Sequence, residues 1–131
     1  MHRLLIKDPT VSLITGSTEV FCAAKHLVNG QTIVKEIRSN VCYHHLMFEE
    51  HQVLVSSGCD SESFYPGAIG LDGFEDKTRE GVLGLFPELR VLPENYGRLA
   101  RPVVKKHEAN LVRERFTPAQ VFWNNLINRA A

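Results

Sequence analysis

Three of the six histidines and two of the three cysteines fall within positions 41–67, in the run VCYHHLMFEEHQVLVSSGCDSESFYPG. Imidazole exchanges its proton near neutral pH, so His44, His45 and His51 are candidates for acid–base work or metal ligation. A thiolate is a nucleophile, which makes Cys22, Cys42 and Cys59 candidates for covalent chemistry. The metal reading meets a geometric obstacle: neighbours along a strand face opposite ways, so His44 and His45 cannot readily share an ion. No CxxC pair or acidic cluster completes a ligand set, and neither a metal nor another cofactor is expected. Cys22 and Cys42 lie in apolar runs, where cysteine behaves as a small inert hydrophobe. Cys59 follows Gly58 and precedes Asp60, whose charge raises a neighbouring thiol pKa and makes reactivity unexpected. For His45 two readings stay open, a proton carrier or a hairpin imidazole hydrogen-bonded to backbone.

These side chains need elements to hold them. Val41, Tyr43 and His45 alternate with Cys42, His44, Leu46 and Phe48, a period of two that predicts a strand over 41–48. Glu49-Glu50 interrupts it, and Val53-Leu54-Val55 then predicts a second strand, giving a β-hairpin that ends at Ser56-Ser57-Gly58. Upstream, His2-Arg3-Leu4-Leu5-Ile6 reads as a strand, and residues 11–14 and 19–22 read as another hairpin about Thr15-Gly16-Ser17-Thr18. Residues 23–28 suit one helical turn closed by Asn29-Gly30, and residues 33–37 suit a further strand. Beyond Gly67 the pattern changes: a helix is expected from about Glu75 or Thr78 to Phe86, ended by Pro87, then a loop over 89–97. Further helices are expected over 103–115 and 118–128, the last announced by the capping box Thr117-Pro118-Ala119-Gln120, with Phe122 and Leu126 burying one side. The expected class is β-rich α+β: mainly β-hairpins, with a helical C-terminal extension packed on them as one compact unit.

At 131 residues one domain with a modest core is expected, and an apolar content of 44% argues against disorder. Fifteen basic residues balance fifteen acidic ones, and no segment gathers the positive charge, so nucleic acid is not an expected partner. No apolar run reaches the roughly 20 residues of a membrane span, and no basic-then-apolar secretion signal opens the chain, which reads as soluble with no membrane partner.

The run 43–58 resembles the final conserved block of the hedgehog/intein (Hint) family, the self-processing domains of inteins and hedgehog proteins. The likeness is carried by Tyr43, His45-Leu46-Met47-Phe48, the polar Glu49-Glu50 and Val53-Leu54-Val55-Ser56-Ser57-Gly58. A bacterial branch of that family is matched more closely still, through His51 to Gly58 and through Ser61-Glu62-Ser63-Phe64-Tyr65-Pro66-Gly67. His2-Arg3-Leu4-Leu5-Ile6 and Ala23-Ala24-Lys25-His26-Leu27-Val28-Asn29-Gly30 are similar to upstream segments of the same branch. Leu85 to Leu89 and Ala100 to Pro102 extend the likeness more weakly.

The resemblance implies autocatalytic cleavage or splicing of a peptide bond through a thioester, with His2 polarising the scissile amide. His45 stands where many members carry an aspartate that assists cysteine ionisation or later proton transfer. Tyr43, Leu46, Gly58, Glu62, Ser63, Tyr65, Pro66 and Gly67 are its structural motif residues, Phe64 and Tyr65 anchoring the tail onto the sheet; Glu62 is given no chemical role. It further implies that residues 1–67 are the C-terminal half of such a domain, of a bacterial parent whose compartment, export included, stays open. The half bearing the nucleophilic cysteine would lie upstream, so this chain is expected to be inactive alone, and residues 68–131 would be the helical extension. From a different class comes the alternative: a non-catalytic, β-rich interaction or structural module. Either would pair with a complementary N-terminal Hint half or with a second copy of itself.

Overall fold

The computed structural model describes residues 2–56 and 58–113, so the expected helix over 118–128 and its capping box lie outside the described residues. The described residues divide into two compact units, one formed by residues 2–43, 53–56, 58–62 and 101–113, the other by residues 44–52 and 63–100.

The first unit carries an antiparallel sheet of four strands, β1 (Arg3–Lys7), β2 (Glu19–Ala23), β3 (Val53–Ser56) and β4 (Cys59–Glu62), in the order β2-β1-β4-β3. β1 and β2 run in register from Arg3↔Ala23 to Lys7↔Glu19. Leu4, Ile6, Val20 and Cys22 thereby share one face, packed with Val11, Leu27, Ile33, Val104 and Ala109. The other face buries Leu5 and Phe21 as well. Burying each such side chain contributes roughly 1.5–3 kcal/mol, and double-sided burial makes this strand pair the centre of the unit. The outer edge of β2 is closed by main-chain bonds: the Phe21 amide donates to Pro102 O at 2.7 Å, and the Val104 amide donates to Phe21 O at 2.9 Å. Helix α4 (Lys106–Arg113) follows. The Glu108 carboxylate accepts the Lys105 amide at 2.6 Å, half of a capping box, and Ala109 reaches the core.

Three strand expectations are corrected here. Residues 41–48 join no strand, and the hairpin is β3–β4, closed by two residues with Gly58 at φ 77°. A two-residue turn with a left-handed glycine closes locally, whereas pairing 53–55 with 41–48 needs a longer connection. Residues 11–14 are helical rather than strand: Asp8 Oδ1 accepts the Thr10 amide at 2.7 Å, Pro9 starts a 3-10 turn (Pro9–Val11), and α1 (Ser12–Thr15) continues to Gly16 at φ 73°. Residues 33–37 are not a strand either. Asn29 Oδ1 takes the amides of Gln31, Thr32 and Ile33, folding that loop on itself and leaving Val34 and Ile37 exposed. The turn over Ala24–His26 and the left-handed Gly30 are present as the sequence predicts.

The second unit is helical. It contains α2 (Ala68–Asp72), which the composition did not announce, and α3 (Asp76–Leu85), where the apolar spacing predicts it. Phe86 leaves helical geometry at φ −127° because Pro87 follows it. The expected loop over 89–97 contains two 3-10 turns, Pro87–Arg90 and Pro93–Tyr96. Leu71, Leu83, Leu89 and Tyr96 form the core, with Met47, Tyr65, Val82 and Phe86 packed on it. The whole is an α+β fold, as the composition predicts. No helix among the described residues is long and apolar enough to cross a membrane.

Candidate functional site

The histidines fall in different surroundings. His2 is exposed; its carbonyl accepts the Ala24 amide at 3.0 Å, and its ring stacks on Tyr43 with centroids 5.2 Å apart and planes 27° apart. His45 belongs to the helical unit, so the two candidate catalytic histidines lie in different units. His45 is exposed, and its imidazole contacts Phe64 at 5.2 Å and Phe74 at 6.0 Å between ring centroids. His44 is exposed. His51 is 4% exposed, and its Nδ1 accepts the Ala100 amide at 2.9 Å, which requires Nδ1 to be unprotonated. Among the described residues no group of three His, Cys, Asp or Glu side chains is placed to hold a metal ion.

The motif residues around His45 and along the hairpin are tied down. The Phe64 amide donates to Leu46 O at 2.7 Å, directly beside His45. Ser63, 1% exposed, pairs twice with Gln52: its amide donates to Gln52 O, and its Oγ accepts the Gln52 amide, both at 2.9 Å. The Tyr65 hydroxyl donates to Gly97 O at 2.8 Å and the Tyr96 hydroxyl to Phe48 O at 2.6 Å. Pro66 is buried, and Gly67 precedes α2 with the Tyr65 ring 3.3 Å from where a Cβ would stand. At Gly70 a Cβ would come within 2.9 Å of Tyr65 O and 3.3 Å of Phe64, so only a glycine lets α2 lie this close. In the sheet unit Glu62 receives the role the sequence did not supply. Its carboxylate, 7% exposed, bonds the Arg3 guanidinium at 2.6 Å and ties β4 to β1.

A Hint-domain family model matches residues 1–68, just over half of the chain. The chain belongs to the Hint domain family. Comparison with curated proteins and with solved structures found no match. The family-matched span of this Hint chain includes His2, Tyr43, His45, Glu62 and Tyr65 but stops short of Phe74, which completes the ring cluster around His45.

The thiols of this Hint chain are poorly suited to attack. Cys22 is fully buried, and burial pushes its thiol up to about 11. Cys59 is also raised, first by burial and then by the Asp60 charge. Cys42 is exposed and belongs to the sheet unit, whereas His45 belongs to the helical unit. The sequence missed Arg3 as the partner of Glu62, Ala100 as the donor to His51, and Phe74 beside His45. All three pairs join positions 29 to 59 residues apart, and no local spacing signals such contacts.

Proposed function

We propose that this chain contributes the proton-transfer residues of a Hint-type self-processing reaction, residues 1–67 forming the Hint-like portion and 68–131 an extension of it. The reading rests on one observation above others: within the family-matched span, two aromatic rings and an adjacent main-chain bond hold the His45 imidazole at an exposed position of the chain. In this reading a thiolate attacks the carbonyl carbon of the peptide bond that precedes it. The C–S bond forms, the C–N bond breaks, and the departing amine nitrogen takes a proton from an imidazolium. Water or another nucleophile then resolves the thioester and returns the thiol. His2 polarises the amide, and His45 serves as the proton carrier. The raised Cys22 and Cys59 thiols argue that the nucleophile is a cysteine of a complementary N-terminal Hint half, with this chain alone inactive.

The same thiols favour a second reading, a β-rich interaction module that binds such a half, or a second copy, without chemistry. One experiment separates the two. The chain is mixed with an N-terminal Hint half that begins at its cysteine behind a reporter protein, and reporter release is followed with and without hydroxylamine. Thioester-dependent release that falls by roughly 10²–10⁴-fold in His45→Ala supports the catalytic reading. Stable binding with no release leaves the module, and release indifferent to His45→Ala and His2→Ala removes both histidines from the chemistry.

A further inference from the structure

We infer that Phe64 and Phe74 form an aromatic bracket that sets the orientation of the His45 imidazole, Phe74 reaching it from beyond the family-matched span. This rests on reading His45 as the proton carrier, and both phenylalanines act as positioning residues.

The three rings form a closed triangle. Phe64 and Phe74 are 5.1 Å apart at 47°, and His45 meets the first at 5.2 Å and 58° and the second at 6.0 Å and 77°. These are tilted and edge-to-face geometries that aromatic rings favour. An imidazole in contact with two rings in different planes loses much of its freedom about the side-chain torsions.

Each ring is itself held. The Phe64 main chain is bonded to Leu46 O, one residue from His45, so His45 and Phe64 are positioned by the same link. A Cβ added at Gly70 would stand 3.3 Å from the Phe64 ring, so the α2 backbone packs close against that ring. Phe74 follows α2 directly; its amide donates to O of the buried Leu71 at 3.2 Å, fixing the turn that presents the ring. The segment after residue 68 therefore supplies part of the wall around a side chain in the Hint span. Holding a proton-transfer group in one orientation is worth rate, because geometry replaces a search.

The test uses the whole chain and nuclear magnetic resonance. In the unmodified protein the carbon-bound imidazole protons of His45 should show through-space contacts to the Phe74 ring and a ring-current displacement from the positions of an unfolded histidine. Phe74→Leu should reduce the displacement to what the Phe64 ring supplies, and Phe74→Tyr should keep it. In the reporter-release assay Phe74→Leu should slow release roughly tenfold, with Phe74→Tyr restoring it, since a bulky apolar side chain alone does not replace an oriented ring. Absence of both the contact and the displacement in the unmodified chain overturns the bracket, whether or not the variants fold. If contact and displacement are present but release is indifferent to His45→Ala, the bracket stands and the proton-carrier reading falls.

Discussion

Residues 41–48 and strand β4 (Cys59–Glu62) have exchanged the places their compositions suggest. The first stretch alternates apolar and polar residues in strand fashion, yet it joins no ladder and leaves Val41, Tyr43, Leu46 and Phe48 exposed. The second reads Cys-Asp-Ser-Glu, poor in strand formers, yet it lies inside the sheet between β1 and β3. Two things admit it. A left-handed Gly58 closes the two-residue turn from β3, and ion pairs reach across from β1, Arg3 to Glu62 and Lys7 to Asp60, both at 2.6 Å. Period-two patterning states that a chain can be half buried. Turn closure and cross-strand charge decide which chain is.

The sharpest way to break this comparison is at Arg3. Glu62 keeps 7% of its side chain exposed, so Arg3→Ala leaves a nearly buried carboxylate without its guanidinium and should cost about 2–3 kcal/mol in urea unfolding. A loss below about 0.5 kcal/mol would show that the ion pair is not what admits a polar strand. Lys7→Ala, at an exposed cation, should matter less and should lose its effect in high salt.

Next in size is the contrast between two thiols. Cys22, fully buried on β2, ionises near 11 rather than at its ordinary 9.0 because burial disfavours the thiolate. A raised folded-state pKa stabilises the fold fully below pH 9, where neither state is ionised, and that contribution disappears as pH climbs through about 11. On the order of 2 kcal/mol should be lost across that window, and Cys22→Ala should flatten the alkaline limb. Cys42, exposed on residues 41–48, should react with a thiol reagent well before Cys22 at neutral pH. Equal labelling rates would contradict the burial of β2 and the exposure of 41–48 together.

The same comparison shows what the sequence could tell. Strands β1 and β2 and helix α3 were legible because their apolar spacing matches what they bury: Leu5, Ile6, Val20 and Phe21 in the sheet, Leu83 in the helix. The Hint resemblance was legible too, through side chains and turns that stand together in the chain, such as Glu62 to Gly67. The strand identity of 59–62 was hidden because the charges that pair with it, Lys7 and Arg3, lie 53 and 59 residues away. The 11–14 helix was masked because Asp8-Pro9, an N-terminal capping signal, outweighs the strand propensity of Val11 and Ile14. At the candidate site, His45 was visible as a residue type, but its neighbours Phe64 and Phe74 are 19 and 29 positions away.

Smaller effects test the turn and then the unpaired stretch. Gly58 adopts φ 77°, where a Cβ is strained, so Gly58→Ala should cost about 1–2 kcal/mol and loosen the β3–β4 hairpin, read as faster amide exchange at Val53–Ser56. Leu46 supplies the weakest perturbation. Its side chain is 60% exposed, and its position is tied to Phe64 through its carbonyl, so Leu46→Ser removes little buried surface and keeps the main-chain bond. The unfolding midpoint should then stay within about 0.5 kcal/mol of the unmodified chain. If Leu46→Ser instead destabilises like a core substitution, this Leu46 side chain is buried in solution, and the strand-like pattern of 41–48 marks a surface that finds a partner there.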